Sequence, residues 1–191
     1  VRTTDGQVLM TLGELATEVL YSMEHNEYMT SESTYTIRTN AYSFGAAVAE
    51  VEVDIPLCKY KLLNIINVHD CGKLINPALA EAQVHGGMSM GIGYAIGEQL
   101  LYDEKTGRPL NNNLLDYKLC TMMDHPDLMA GFVQNPEPTS PFGTKALGEP
   151  PVCPVAPAIH NAIMDATGVS LRKLPMNPHQ LYARFHEEGL L

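Results

Sequence analysis

One glutamate in this sequence has neighbours that suit a chemical role. Glu149 follows Gly148 and precedes Pro150 and Pro151. Glycine lets a ligand approach the backbone closely, and proline disfavours the helical conformation in the residue before it. We therefore expect an extended Glu149 just before a helix, where a fixed carboxylate could act as a general base. The alternative is a solvated glutamate in the first turn of a helix, where the helix dipole favours negative charge.

Glu149 belongs to one of three stretches that together resemble a known family. In chain order these are YSFGA and AEVEVD within residues 42–54, then VHDCG, INP and QVHGG within residues 68–87, and finally KALGEPP at residues 145–151. They resemble the molybdenum hydroxylases, the family of xanthine dehydrogenase and aldehyde oxidoreductase, and are most similar to the xanthine dehydrogenase branch. On this resemblance, the chain is identified as the C-terminal part of the large, molybdopterin-binding subunit.

The resemblance implies roles for particular residues. The glutamate that matches Glu149 acts in the family as the general base, during hydroxylation of a purine or a related N-heterocycle with water as the oxygen source. The glutamine that matches Gln83 contacts the pterin cofactor, and Gly86, Gly87 and Gly148 are expected beside it. The plainer alternatives are a helical glutamine that faces solvent and glycines that serve tight packing. The rival function is a non-catalytic assembly or binding module that retains the fold.

Cofactors and partners follow from the same resemblance. We expect a molybdopterin-type molybdenum cofactor, either plain or in its cytosine dinucleotide form. FAD and [2Fe-2S] clusters are expected only on other domains or subunits, because the chain encodes neither site. The expected partners are the remainder of the molybdenum subunit, the iron–sulfur and FAD subunits or domains, and a small heterocyclic substrate.

Other polar residues near these stretches leave alternatives open. Lys145 could pair with a phosphate or lie on the surface. His69, Cys71 and His85 are residue types that bind zinc or copper. However, a lone histidine at a strand end is more often structural, and the family's metal is held by the sulfur atoms of the pterin. We therefore predict no metal ligands from the protein.

Composition excludes several other classes of protein. The formal net charge of −10 argues against binding to nucleic acid or to an anionic membrane, since both require clustered Lys and Arg. Four widely spaced cysteines give no sign of a zinc ribbon or an iron–sulfur cluster. Without a membrane-length apolar run or a signal peptide, the predicted location is the cytoplasm. The 191 residues, of which 45% are apolar, predict a single domain over residues 1–191.

Hydrophobic periodicity predicts helices and strands in an irregular order. An α+β fold of mixed sheets with packed helices is therefore expected, of the molybdenum-cofactor-binding type that the resemblance implies. The predicted helices cover residues 8–23, with a capping box at Thr11 and Glu14, a segment from Asn76 and Pro77 onward, residues 155–166, and a segment after Asn177. The predicted strands cover residues 47–55, 61–68, 99–103, 129–134 and 169–174.

Overall fold

The computed structural model describes residues 3–23 and 30–191, which belong to two compact units, residues 1–36 and residues 37–191. The prediction of one domain over residues 1–191 stays a prediction. The helices are α1 Leu12–Tyr21, α2 Pro77–Ile96, α3 Val155–Thr167 and α4 Pro178–Glu187. The strands are β1 Phe44–Asp54, β2 Lys59–Asp70 and β3 Asp127–Val133.

The first unit contains helix α1, which begins at the predicted capping box. The Thr11 hydroxyl accepts a hydrogen bond from the Glu14 N–H (3.2 Å), and the Glu14 carboxylate accepts one from the Thr11 N–H (2.7 Å). These bonds satisfy backbone donors that have no partner inside the first turn. The hydrogen bonds from Thr11 also lower the pKa of Glu14. The predicted helix start is confirmed.

The second unit is built on a three-stranded mixed sheet in the order β1-β2-β3. Strands β1 and β2 form an antiparallel hairpin, and β2 and β3 are parallel. A parallel pair requires a long crossover connection, and the chain between these two strands contains α2. Alternation of side chains along the predicted strand β2 puts Ile65, Asn67 and His69 on the buried face of the sheet.

Helices α2 and α3 cover that buried face. Helix α3 contacts β1 and β2, while α2 contacts β3 and α3. Gly91 allows α2 and α3 to approach, because a Cβ atom there would lie 2.5 Å from the Val155 Cβ. The core also includes side chains of β2, α2, α3 and α4 that have no exposed surface, namely Ile65, Met88, Ile92, Ile159, Leu181 and Phe185. Each such side chain contributes about 1.5–3 kcal/mol relative to exposure.

The later helices begin and end at the predicted residues. The Asn76 side chain accepts a hydrogen bond from the Leu79 N–H (3.1 Å), and Pro77 is the first residue of α2. Asn177 caps α4 in the same way through the Gln180 N–H (3.0 Å). Helix α3 ends at Gly168, which has the left-handed conformation (φ +75°) that glycine adopts without strain.

Two predicted strands are wrong. Residues 99–103 form only an isolated bridge, between Tyr102 and Pro109. The Asp103 carboxylate accepts hydrogen bonds from N–H groups of the following residues, and the turn that results ends the pairing after this one bridge. Residues 169–174 form no strand either. There the Leu171 N–H donates to His160 Nε2 (3.1 Å) and the Ser170 carbonyl accepts from Arg184 Nε (3.3 Å), so side chains replace a strand partner.

The observed architecture confirms the α+β class. Among the helices of the described residues, none combines the length and the hydropathy that a bilayer crossing requires.

Candidate active site

Glu149 lies in a segment, residues 144–152, that connects the end of the sheet to α3. This segment is called the base segment below. It begins at an isolated bridge between Thr144 and Gly72 and ends in the 3-10 turn Pro150–Val152. Gly72 has φ +67°, and a Cβ atom there would lie 2.3 Å from the Gly143 carbonyl oxygen. Only glycine therefore fits where the chain leaves β2 and meets the base segment.

Four backbone carbonyl groups of the base segment accept hydrogen bonds from side chains of other elements. We call the donors the carbonyl anchors. They are Ser43 to the Ala146 carbonyl (2.7 Å), Gln83 to Gly148 (3.0 Å), Asn67 to Pro151 (2.8 Å) and Tyr94 to Val152 (3.0 Å). The anchors come from the residue before β1, from β2 and from two turns of α2. A segment without a strand partner is thus fixed on both sides of Glu149.

The backbone conformation of Glu149 differs from the prediction. Its φ of −99° and ψ of −35° are helical, so the expected extended conformation is wrong. The Glu149 carbonyl accepts a hydrogen bond from the Val152 N–H (3.1 Å), and Pro151 is buried against α2. These contacts outweigh the preference of a residue before proline, which is a bias and not a prohibition. Glu149 therefore directly precedes the 3-10 turn, and its side chain is exposed.

Glu149 contributes to the wall of a cavity of about 530 Å³. The opposite part of the wall comes from the approach to β1, including Tyr42, Ser43 and Gly45. The remaining lining residues belong to or follow the base segment, namely Ala146, Pro150, Cys153 and Pro154, together with Ala41. The cavity therefore places a carboxylate beside an aromatic ring, a hydroxyl group and a thiol.

Lys145 neither lies on the surface nor is available to a phosphate. Its ammonium group is 2.7 Å from the Asp70 carboxylate, and the two side chains are only 5% and 11% exposed. Asp70 also accepts the Gly72 N–H (2.9 Å). Burial works to raise the pKa of Asp70, but the hydrogen bonds from Lys145 and Gly72 outweigh it, and the pKa falls below its ordinary value. The ion pair fixes the start of the base segment to the end of β2.

His69 is buried behind the same cavity. A Cβ atom on Gly45 would lie 2.3 Å from the His69 ring, so the imidazole occupies the space that Gly45 leaves. Burial lowers the pKa of His69 and favours its neutral form. Within residues 3–23 and 30–191, no group of three or more His, Cys, Asp or Glu residues could hold a metal ion.

Comparison with known proteins places the chain in a family. The family model described as molybdopterin cofactor-binding domain matches residues 2–126, well over half of the chain. The chain belongs to this family. The resemblance drawn from three short stretches is thereby confirmed.

Two relatives of this chain have the names of a dehydrogenase and an oxidase. The chain is 49% identical over 183 residues to the putative xanthine dehydrogenase molybdenum-binding subunit XdhA of Escherichia coli K12, and 35% identical over 142 residues to the probable hypoxanthine oxidase XdhD of the same organism. These matches cover 96% and 74% of this chain, but only 24% and 15% of the relatives. The chain therefore spans about a quarter of the length of the first of them.

A solved structure shares both sequence and fold with the chain. The crystal structure of a Cu,Mo-CO dehydrogenase in its carbon monoxide reduced state matches with a TM-score of 0.80 and 29% identity. The match covers 95% of this chain and 23% of the solved chain. It supports the predicted fold of the molybdenum-cofactor-binding type.

The residues predicted to bind cofactor are only partly brought together. Gln83 and Gly148 are in direct contact through the carbonyl anchor, and both are exposed. Gly86 and Gly148 have open space where a Cβ would stand, which fits a ligand that approaches the backbone closely. Gly87 instead is buried, and a Cβ there would lie 2.6 Å from the Pro151 Cβ. Its absent side chain lets α2 pack against the base segment.

Sequence reasoning missed several residues of this site. Asn67 and Tyr94 were not singled out, although they hold the base segment, and Tyr42 and Gly45 were noted only as parts of a matching stretch. A signal existed for Asn67, because its amide lies on the inward face of β2 between Ile65 and His69 and requires a hydrogen-bond partner there. Tyr94 gave no comparable signal, since its partner is 58 residues away in sequence.

Proposed function

We propose that this chain forms the part of a molybdenum hydroxylase that carries the general base, Glu149. The substrate is a purine such as xanthine or hypoxanthine, or a related N-heterocycle, and water is the oxygen source. The proposal rests on one observation above all: a cavity-lining carboxylate whose backbone is fixed on both sides by carbonyl anchors. The purine assignment draws on the names of the two Escherichia coli relatives.

The proposed role of Glu149 is to take up a proton. Hydroxylation replaces a C–H bond with a C–OH bond and releases two electrons and two protons, one of which comes from the water that supplies the oxygen. A carboxylate oxygen of Glu149 accepts this proton as the oxygen attacks carbon. A base must stay within hydrogen-bond reach of its proton, and the carbonyl anchors limit how far the Glu149 backbone can move.

The cofactor-binding residues fit a molybdopterin-type group. When bound, that group supplies the two-electron chemistry of the hydroxylation. Gln83 donates its amide N–H to the Gly148 carbonyl, and its exposed side chain can also accept a hydrogen bond from a pterin. Gly86, Gly87 and Gly148 complete the proposed binding surface, although Gly87 contributes through packing. The proposed cofactor is molybdopterin in either its plain or its cytosine dinucleotide form.

The remaining parts of the proposed enzyme lie on other domains or subunits. Electrons leave through [2Fe-2S] clusters and FAD on other domains or subunits, in the cytoplasm. The rest of the molybdenum subunit completes the cavity, since the Glu149 side chain is exposed in this chain. Exclusion of water around the reacting atoms strengthens every electrostatic interaction there.

Replacement of the base tests the proposal. Glu149→Gln keeps the shape of the side chain but removes the proton acceptor, so we expect turnover of xanthine and hypoxanthine to fall by about 10²–10⁴-fold. Molybdenum content, measured by elemental mass spectrometry on the purified enzyme complex, should stay near that of the wild type. Glu104→Gln, at an exposed turn away from the cavity, is the matched control and should leave both unchanged.

Two results would count against the proposal. Substantial turnover by Glu149→Gln would exclude the base role. A wild-type complex that contains the whole large subunit but no molybdenum would instead favour the non-catalytic assembly module. Turnover of aldehydes in preference to purines would correct the substrate class alone.

A further inference from the structure

One face of the sheet carries a row of exposed apolar residues and has no covering layer from residues 37–191. Since Ile65, Asn67 and His69 point toward the helices, the alternate residues point the other way. Val48, Ile66 and Met129 lie side by side across β1, β2 and β3, and are 68%, 42% and 41% exposed. We call this surface the open sheet face, and its apolar residues are Phe44, Val48, Ile66, Val68, Met129 and Val133.

The composition of the strands indicates that a layer belongs on this face. Strands β2 and β3 are parallel. All-parallel sheets have both faces covered and antiparallel sheets commonly leave one face to water, so this mixed sheet is compatible with a cover over its parallel pair. Ile66 and Val68 are on the central strand, where a solvated face would favour polar residues. Instead, apolar residues continue across all three strands, as at interaction surfaces.

The open sheet face becomes polar at both ends. At one end Asp70, between Phe44 and Val133, is paired with Lys145. At the other end Glu50, Asn64 and Asp127 form the row beyond Val48, Ile66 and Met129, with Glu50 opposite Asn64 and Asn64 opposite Asp127. The Asn64 amide donates to the Glu50 carboxylate (2.6 Å). A partner that matches this surface therefore carries an apolar patch bordered by a Lys or Arg that faces the carboxylates of Glu50 and Asp127.

We propose that the open sheet face packs against the part of the molybdenum subunit that lies outside these 191 residues. This inference rests on the proposed function. The relative that is 49% identical is about four times as long as the region it shares with this chain, so a large body of polypeptide must pack near it. Contact with that polypeptide gives the parallel pair its second layer.

Cysteine labelling of the enzyme complex tests whether the face is covered. Val48→Cys and Met129→Cys are prepared separately, and maleimide labelling at each site is followed by peptide mass spectrometry, which also separates the native cysteines. We expect labelling in the native complex to be at least about ten times slower than in urea. Lys105→Cys, in an exposed turn, should be labelled at similar rates in both conditions. Rapid native labelling at both face positions would overturn the proposal.

Photo-crosslinking identifies what covers the face. With a benzophenone amino acid in place of Val48, the proposal predicts crosslinks to peptides of the large subunit outside residues 1–191. Crosslinks to residues 1–191 of a second copy, or to an iron–sulfur or FAD subunit, would overturn it. Neither readout depends on molybdenum or turnover, so this test can fail while the proposed function stands, and the reverse.

Discussion

The ion pair of Asp70 and Lys145 shows what single residues contribute to the site. Both side chains are largely enclosed, and each has the other as its charged partner. Removing one charge leaves the other desolvated, which costs more than the pair itself contributes. The position of Glu149, four residues beyond Lys145, thus depends on an ion pair whose residues do not line the cavity.

We predict that Asp70→Asn lowers the free energy of unfolding by about 3 kcal/mol at neutral pH. The amide can still accept the Gly72 N–H, so the loss reports the unpaired Lys145. In the double variant Asp70→Asn with Lys145→Met, the buried cation is absent and much of the stability should return. Denaturant unfolding of the purified subunit measures both. An equal or greater loss in the double variant would contradict this account.

The same pair predicts a pH dependence. The folded-state pKa of Asp70 is held below its ordinary value of 3.8. Its contribution is therefore complete above that ordinary value and is lost as the pH falls through the lower folded-state pKa. The stability difference between wild type and Asp70→Asn should stay constant from neutral pH down to about one unit above 3.8 and shrink as the pH falls further. A difference that grows on acidification would show that another group dominates.

At the scale of elements, two adjacent glycines of α2 have different surroundings near the base segment. Gly87 is buried against Pro151, whereas Gly86 faces open space. The two positions are matched in helix and in sequence context. Substitutions at these positions therefore separate packing from cofactor binding.

We predict that Gly87→Ala lowers the free energy of unfolding by about 1–3 kcal/mol, because its Cβ would press on Pro151 and shift the base segment. Turnover should fall as well. Gly86→Ala should keep or raise the stability by up to about 1 kcal/mol through helix propensity. If Gly86 faces the cofactor, as proposed, the molybdenum content of Gly86→Ala falls nevertheless. Unchanged molybdenum content in a stable Gly86→Ala variant would remove Gly86 from the cofactor site.

Sequence periodicity predicted most elements of the fold, because their signals are local. The capping residues Thr11, Asn76 and Asn177 marked helix starts, alternation marked β1, and richness in Ile and Leu marked β2. Residues 99–103 and 169–174 have strand-like composition, yet side chains bond their backbone groups or those of the adjoining turn. The bonds of Asp103 are local, whereas those at residues 169–174 depend on neighbours such as Arg184, which local composition does not reveal.

The site was less predictable than the elements. Glu149 and Gln83 were predicted from a family resemblance. In the structure, the Gln83 amide donates a hydrogen bond to the carbonyl group of Gly148, the residue before Glu149. Their catalytic and cofactor roles stay predictions. The conformation of Glu149 was wrongly predicted from a local rule, and Lys145 could not be assigned because its partner is 75 residues away. Contacts between distant residues decide both.

At the scale of the whole molecule, the second unit is a sheet with two different faces. One carries α2 and α3, and the other is the open sheet face. If the rest of the subunit packs there, the cavity and the interface lie on layers that share β1 and β2.

The carbonyl anchors have a consequence for how this site can adapt. Every amino acid has a backbone carbonyl group. The four hydrogen bonds from the carbonyl anchors therefore do not themselves require particular side chains at positions 146, 148, 151 and 152. Support and selectivity are thereby assigned to different atoms. Cavity side chains other than Ser43 can therefore be exchanged to admit a different substrate, while the carboxylate stays where it is.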